Sequence, residues 1–168
     1  MRILKDVKRI YYPKQNTCCF IGHQKLPSNK INYIVKNLDA EIDKLIHQGV
    51  TNFVSAATPG FAQIAASLIV AKKEMGANIR LVFALSNHYQ IRNLAEPERQ
   101  LYRSLLLEVD EIRFTSCIYT QSCIEERNCQ MVDSSAYCIC ARLWHESEVE
   151  QTISYAIQQG LHIINVAK

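Results

Sequence analysis

The chain has 168 residues, of which 48% are hydrophobic and 21% charged, as is typical of one globular domain with a sizeable core. No apolar run reaches membrane-spanning length, and the first residues lack the apolar core and cleavage site of a signal peptide, so we expect a cytoplasmic protein without membrane partners. The formal charge of +3 is unevenly spread, because residues 1–16 hold five basic residues and one acidic residue, a net charge of +4, and the remaining chain carries −1. The remainder is therefore not a basic nucleic-acid binder by composition, and nucleic acid is not an expected partner.

The basic N-terminal arm, residues 1–16, carries apolar residues at helical spacing, namely Ile3, Leu4, Val7 and Ile10. This pattern predicts a short amphipathic helix that docks on the domain or on a second subunit. A nucleic-acid contact is the alternative, but the charge involved is small. We expect residues 17–168 to form a single domain and the protein to be a homo-oligomer.

The chain contains seven cysteines, an odd number. Cys18 and Cys19 lie in one predicted strand and Cys138 and Cys140 in another, where a thiol packs as a small apolar side chain. The other three recur every six residues from Cys117, a spacing that lacks the close pairs of a zinc knuckle. We therefore predict reduced thiols, no metal site and no cofactor.

The first strand is predicted at Thr17–Ile21. Gly22 and His23 end it, which places an imidazole at the carboxyl end of the strand. The clearest helix runs over Lys30–Gln48, because its apolar residues share one face and Gly49 is a natural C-terminal stop.

A strand, a tight turn and a helix start then follow in direct succession. The strand is Asn52–Ser55, the turn Ser55–Thr58 and the helix Pro59–Met75, with proline at a favoured first position. Such a junction points free backbone N–H groups and a helix dipole at an anion, above all a phosphate. Alanines, Ala56 and Ala57, stand where a phosphate-binding turn would be expected to carry glycine.

The rest of the chain alternates strands and helices. Two Ser-x-x-Glu capping boxes, at Ser122 and at Ser147, predict helix starts. The predicted elements are a strand at Ile79–Leu85, a polar loop at Ser86–Ala95, a helix at Pro97–Val109, a strand at Glu111–Phe114, a helix at Ser122–Ser134, a strand at Tyr137–Ala141, a helix from Ser147 to Gly160 and a strand at His162–Val166. This alternation predicts an α/β fold that is doubly wound, with a mainly parallel sheet covered by helices on both faces.

Ligands of an open parallel sheet bind at the carboxyl ends of the strands, where the strand order reverses. The candidate ligand-binding residues near such ends are Gly22, His23, Ser55, Thr58, Gly60, Phe61, Arg127, Asn128 and Trp144. Three of them have a structural alternative. The alternative for His23 is a cap at the strand end, and that for Trp144 is a residue of a rim or interface. The alternative for Arg127 is an ion pair with Asp133 or a subunit contact. No catalytic residue is recognised.

Four segments within about Thr17–Ala167 resemble the SLOG superfamily, the Rossmann-like folds related to DprA and the LOG enzymes, and most closely its YpsA-like branch. The segments are TCCFIGH, FVSAATPGFAQIAA, RNCQMVDSS and ISYAIQQGLHIINV. Gly60 is retained from the branch's glycine-rich turn. The chain departs from the pattern of the branch in four places. Gln24 replaces an arginine, Ala56 and Ala57 replace a glycine pair, Ala62 replaces an acid, and Trp144–Glu148 replace Gly-Gly-Thr.

The resemblance implies a nucleotide-derived ligand, so we expect a small-molecule binding protein with weakened phosphate binding. One alternative is a nucleotide N-glycosidase, or phosphoribohydrolase-like enzyme, in which Arg127 holds a phosphate. Another is a degenerate scaffold that acts through dimer or protein contacts. We expect the remaining anion site at the turn Ser55–Phe61, because Glu146 and Glu148 use the dipole and amides at the start of the later helix and repel a phosphate.

Overall fold

The computed structural model of the chain describes residues 13–86, 94–115, 121–144 and 147–168. Strands and helices alternate through them, after a short 3-10 turn at Lys14–Asn16. In chain order they are β1 (Thr17–Gly22), α1 (Ile31–His47), β2 (Asn52–Ser55), α2 (Phe61–Glu74), β3 (Arg80–Leu85), α3 (Glu96–Leu106), β4 (Glu111–Phe114), α4 (Gln121–Asp133), β5 (Tyr137–Ala141), α5 (Ser147–Gln158) and β6 (His162–Asn165).

The six strands form one sheet in the order β4-β3-β2-β1-β5-β6, and all neighbouring pairs are parallel. The first four strands are laid down in succession to one side, and β5 then returns to the free side of β1. The predicted doubly wound parallel sheet is therefore confirmed. The reversal of strand order leaves a crevice at the carboxyl ends of β1 and β5, where such sheets bind ligands.

The core has one layer on each face of the sheet. Apolar side chains of α1, α2 and α3 pack on one face against residues such as Phe20 and Phe53. Residues of α4 and α5, including Met131 and Ile153, pack on the other face. Strands β2 and β3 are buried on both faces, as the continuous apolar run of β3 predicts.

Four cysteines lie in the adjacent strands β1 and β5. Cys18 and Cys19 of β1 and Cys138 and Cys140 of β5 are all buried, as their positions in apolar strands predict. Burial raises the pKa of the Cys140 thiol to about 12, so this thiol is protonated at neutral pH. These cysteines contribute apolar packing to the centre of the sheet.

The start of α2 differs from the prediction. The helix begins at Phe61, and Gly60 precedes it with a φ of 82° and a ψ of −128°, so Pro59 is not the first helical residue. The loop between β1 and α1 lies against Gly60. A Cβ at Gly60 would sit 2.2 Å from the carbonyl oxygen of Gln24.

The two predicted capping boxes also differ from the structure. Helix α4 already includes Ser122, and α5 begins at Ser147 rather than after it. The Glu150 carboxylate accepts hydrogen bonds from both Nε and Nη2 of Arg142, with 3.0 Å to Nη2. At the start of α3, the Ala95 amide donates to the Glu98 carboxylate at 3.0 Å. This is one of the two hydrogen bonds of a capping box, and we did not predict it.

Parts of the predictions lie outside the described residues. They are residues 1–12 of the arm, most of the polar loop Ser86–Ala95, Cys117, and His145 with Glu146. Among the helices that the structure describes, none is long and apolar enough to cross a membrane.

Candidate functional site

A cavity of about 470 Å³ opens at the carboxyl ends of β1 and β5, a volume within the range of small-molecule pockets. The end of β1 and its loop contribute residues 20–25, and the turn after β2 contributes Ala56 and Thr58. The α2 helix adds Ala62. The remaining wall comes from α4, from Trp144 after β5 and from the first turns of α5. The cavity therefore lies where the strand order reverses.

A polar network lines the α4–α5 side of the cavity. Arg127 donates to Asn128 Oδ1 from Nε and Nη2, at 3.3 and 3.2 Å. Asn128 Nδ2 in turn donates to Thr152 Oγ1 at 3.2 Å and to Glu148 Oε1 at 3.4 Å. The Glu148 carboxylate lies 3.9 Å from Arg127 Nη2. Helices α4 and α5 are thus joined at the cavity by a cation, an amide, a hydroxyl and a carboxylate.

Arg127 is only 4% exposed, although its side chain is charged. Burial lowers the pKa of its guanidinium, and the charge of Glu148 opposes that effect. A guanidinium still stays protonated in proteins, so Arg127 is a buried cation in the cavity wall. The Glu148 side chain is 43% exposed, and solvent therefore screens part of its charge. This arrangement favours an anionic group in the cavity.

Asp133, the ion-pair partner that the structural alternative gives Arg127, pairs with Tyr155. Asp133 accepts a hydrogen bond of 2.7 Å from the Tyr155 hydroxyl. This hydrogen bond raises the pKa of Tyr155 to about 12. Arg127 lines the cavity, six residues before Asp133 along α4.

Two aromatic rings lie in contact just beyond the ends of β1 and β5. The rings of His23, after β1, and Trp144, after β5, lie with centroids 4.6 Å apart and planes tilted by 30°. His23 Nε2 accepts a hydrogen bond of 3.4 Å from the Leu143 amide, so in the neutral ring the proton is on Nδ1. Trp144 is 44% exposed and presents a flat apolar surface at the cavity. His23 therefore both ties the strand ends together and lines the cavity.

The structure brings most of the predicted site residues to this cavity. Those that line it are Gly22, His23, Thr58, Arg127, Asn128 and Trp144. Ser55, Gly60 and Phe61 lie beside it, outside its lining. The Ser55 hydroxyl donates to the Ala62 carbonyl at 2.8 Å, and the Phe61 ring is buried in the core.

The turn between β2 and α2 has fewer free donors than we predicted. The Phe61 amide donates to the His23 carbonyl at 3.2 Å, and the Ala57 amide donates to Ser55 Oγ at 3.2 Å. These two N–H groups are therefore already satisfied within the protein. Ala57 has a φ of 59°, a conformation that favours glycine, at one of the positions where the resemblance expects a glycine pair.

The prediction missed several residues of the cavity wall. Lys25, Ala62, Glu148 and Thr152 all line it. Lys25 is close to His23 in sequence, and this proximity could have identified it. Glu148 was interpreted only as an acid in the first turn of a helix. Its contact with Asn128 depends on how α4 and α5 pack, which no local pattern reveals.

The model of the YspA SLOG family matches residues 20–163. DNA processing protein A from Streptococcus pneumoniae has a similar structure, with a TM-score of 0.65 and 11% identity over 90% of this chain and 49% of that one. The same protein from Helicobacter pylori, solved for its single-stranded DNA binding mode, gives a TM-score of 0.61 and 11% identity over 90% and 64%. TM1055 gives a TM-score of 0.55 and 12% identity over 88% and 71%.

No curated protein matches the chain. The chain spans about half of the S. pneumoniae protein and less than two thirds of the H. pylori protein. At such low identities the structural likeness shows the fold alone.

Proposed function

Because the chain belongs to the YspA SLOG family, whose model matches residues 20–163, we propose that it binds a nucleotide-derived small molecule in the cavity at the ends of β1 and β5. The observation that carries this proposal is the buried guanidinium of Arg127 in the cavity wall. The exposed face of Trp144 in the same cavity adds a surface on which a base can stack. A phosphate and a base are the parts of a nucleotide that these two side chains suit.

We expect this binding to be weak, at micromolar affinity or poorer. Glu148, 3.9 Å from Arg127 Nη2, competes with an anion for the guanidinium. The Phe61 amide at the start of α2 is already used by the His23 carbonyl. A helix-end contact contributes about 0.3–2 kcal/mol, so its partial loss weakens a phosphate site without abolishing it.

Single-stranded DNA, the ligand studied for the H. pylori neighbour, is not the ligand that we propose. The residues after the arm carry a net charge of −1, because the arm holds five of the 19 basic residues and one of the 16 acidic residues. Binding to a nucleic-acid backbone depends on a cluster of positive charges. The described site offers a cavity for one small anion instead.

Glu148 supports a second candidate function, hydrolysis of an N-glycosidic bond. Its carboxylate lines the same cavity as Arg127 and is held by Asn128 at 3.4 Å. A carboxylate in this position can orient or deprotonate a water molecule while the arginine holds the phosphate of the substrate. Binding without release of base separates the binding protein from this enzyme.

The experiment is a titration of the full chain with ADP-ribose, NAD and AMP. Trp144 is the only tryptophan, so its fluorescence reports the cavity directly, and calorimetry provides the affinity. Arg127→Met should weaken binding by about tenfold or more, because a hydrogen bond to a charged group contributes about 1.5–3 kcal/mol. Arg103→Met, which removes an exposed arginine of α3, is the matched control and should change nothing.

Each outcome decides between the candidates. The proposal fails if no nucleotide binds to the folded protein, or if Arg103→Met weakens binding as much as Arg127→Met. Chromatography of the same mixtures detects any free base. Base release that Glu148→Gln abolishes, with binding retained, would establish the enzyme instead.

A further inference from the structure

Glu148 places a negative charge in the wall of a cavity that we propose to bind an anion. Its carboxylate lines the cavity beside Arg127, and its side chain is 43% exposed, so a ligand in the cavity can reach it. Like charges repel at short range, so a phosphate placed directly against this carboxylate would bind poorly. A nucleotide in the cavity must therefore present another of its groups to Glu148.

The position of this carboxylate is fixed by its neighbours. Asn128 Nδ2 donates to Glu148 Oε1 at 3.4 Å, and Arg127 Nη2 lies 3.9 Å from the same oxygen. The Asn128 amide is held in turn, because its Oδ1 accepts from Arg127 and its Nδ2 also donates to Thr152 Oγ1 at 3.2 Å. Arg127, Asn128 and Thr152 are all buried. Glu148 is therefore the solvent-accessible end of a buried polar network.

The chemistry of a carboxylate limits the ligand groups that suit this position. A carboxylate accepts hydrogen bonds and donates none, and its two oxygens together offer about four acceptor positions. The contacts with Asn128 and Arg127 both fall on Oε1, so the group can accept further hydrogen bonds from a ligand. A suitable ligand group is a donor without negative charge. In AMP such donors are the ribose hydroxyls and the exocyclic amine of the base.

The place of Glu148 beside Arg127 favours the ribose hydroxyls over the amine. Arg127 is the cation that we assign to the phosphate, and Trp144 is the surface that we assign to the base. The ribose joins these two parts of a nucleotide and is attached directly to the phosphate, whereas the amine lies on the far edge of the base. A group 3.9 Å from Arg127 Nη2 therefore meets the ribose first.

We propose that Glu148 is a specificity-determining residue that accepts hydrogen bonds from the ribose hydroxyls of the ligand, so that the cavity selects a ribonucleotide with a free vicinal diol. This inference rests on the proposed function, because it needs a nucleotide in the cavity. The carboxylate has two opposing effects on such a ligand. It competes with the phosphate for Arg127, and it binds the ribose beside that phosphate. A nucleotide without these hydroxyls experiences only the unfavourable effect.

The first test compares AMP with its dideoxy form, which lacks both ribose hydroxyls, by calorimetry on the full chain. The unsubstituted chain should bind AMP about tenfold more tightly or better, because only AMP gains hydrogen bonds to a charged group. In Glu148→Ala this preference should disappear. The dideoxy form should also bind Glu148→Ala more tightly than the unsubstituted chain, because no carboxylate competes for Arg127. Glu126→Ala removes an exposed acid of α4 outside the cavity lining and is the control.

The second test separates the charge of Glu148 from its acceptor atom, and the ribose from the base. Glu148→Gln keeps an acceptor oxygen without the charge, so it should retain a weaker preference for AMP than the unsubstituted chain has. IMP keeps both ribose hydroxyls but lacks the exocyclic amine. The ratio of the affinities for AMP and IMP should therefore be the same in Glu148→Ala as in the unsubstituted chain. Thermal unfolding confirms that each variant is folded.

Equal binding of AMP and its dideoxy form by the unsubstituted chain would overturn this inference and leave the proposed function in place. So would a preference for AMP that persists in Glu148→Ala, or one that Glu126→Ala lowers as much. A change in the ratio of AMP to IMP affinity in Glu148→Ala would mean that the carboxylate contacts the base instead. If no nucleotide binds to the folded protein, the proposed function fails and this inference fails with it.

Discussion

Gly60 fixes the turn that leads from β2 into α2, and no other residue fits there. Its φ is 82°, and a Cβ would lie 2.2 Å from the Gln24 carbonyl oxygen. Gly60→Ala should lower the free energy of unfolding by roughly 3 kcal/mol or more, since it adds an overpacking cost to the left-handed backbone cost. Gly76→Ala should cost only about 1–2 kcal/mol, because Gly76 has a φ of 97° with nothing within 4 Å of a Cβ.

Urea denaturation of both variants checks this prediction. Equal losses at Gly60 and Gly76 would show that the β1–α1 loop moves aside at no cost. The same geometry means that a large substitution such as Gly60→Glu would report on folding rather than on ligand binding. Variants of Arg127 are therefore better probes of the cavity.

The residues of the candidate site were predictable from the sequence to the extent that they follow strand ends. His23 comes directly after β1 and Trp144 shortly after β5, so the rule for parallel sheets places them together. Glu148 was not predictable in this way. An acid in the first turn of a helix already has an explanation in the helix dipole. Only the packing of α4 on α5 brings it to Asn128.

At the scale of elements, Asp110 ties β4 to its neighbours. Its Oδ2 atom accepts from the Leu81 amide at 2.8 Å and from Lys73 Nζ of α2 at 2.7 Å. Partial burial acts to raise the pKa of Asp110, but these hydrogen bonds outweigh burial and lower it. The contribution to stability is therefore present above the unfolded pKa of about 4 and is lost as the pH falls through the lower folded pKa.

Asp110→Asn should lower the free energy of unfolding by about 1–2 kcal/mol at pH 7, because it weakens a charge-assisted hydrogen bond to Lys73 and one to the Leu81 amide. The variant should also lose less stability than the parent chain between about pH 5 and pH 2. Asp43→Asn is the control. Asp43 is exposed and Lys72 keeps its ion pair with Asp39, so the free energy of unfolding should fall by less than about 0.5 kcal/mol. Denaturation at several pH values measures both quantities, and parallel pH profiles for Asp110→Asn and its parent would contradict the prediction.

Strands were easier to predict than helix starts. Strands β1, β3 and β5 are rich in consecutive apolar residues and β2 has Phe53 and Val54 at its centre, and the observed bounds of all four agree with the prediction within a residue. The start of α2 was wrong because the preference of proline for a first helical position was outweighed by the left-handed Gly60. The side chain of Glu150 pairs with Arg142, a tertiary contact that a capping-box pattern does not include.

At the scale of the whole molecule, the regular alternation of elements predicted the parallel sheet but not its order. Short crossovers favour neighbouring strands, as for β1 to β4. The return of β5 to the free side of β1 is the step that creates the crevice, and no periodicity encodes it. The alternation thus predicted a doubly wound sheet, but the position of β5 within it was not predicted.

The arm and the rest of the chain carry charge of opposite sign. We expect the arm, Met1–Lys14, to supply packing or subunit contact rather than nucleic-acid affinity. Its apolar residues recur at helical spacing, and its net charge of +4 comes from five basic residues and one acidic residue. If these charges bound single-stranded DNA, log K would fall with log salt at a slope of about −3, since each phosphate contact contributes about −0.7. Fluorescence anisotropy with a labelled oligonucleotide should instead show no such binding, and deletion of residues 1–12 should lower thermal stability or change the molar mass. A slope of this size that disappears on deletion would mean that the arm is a nucleic-acid contact.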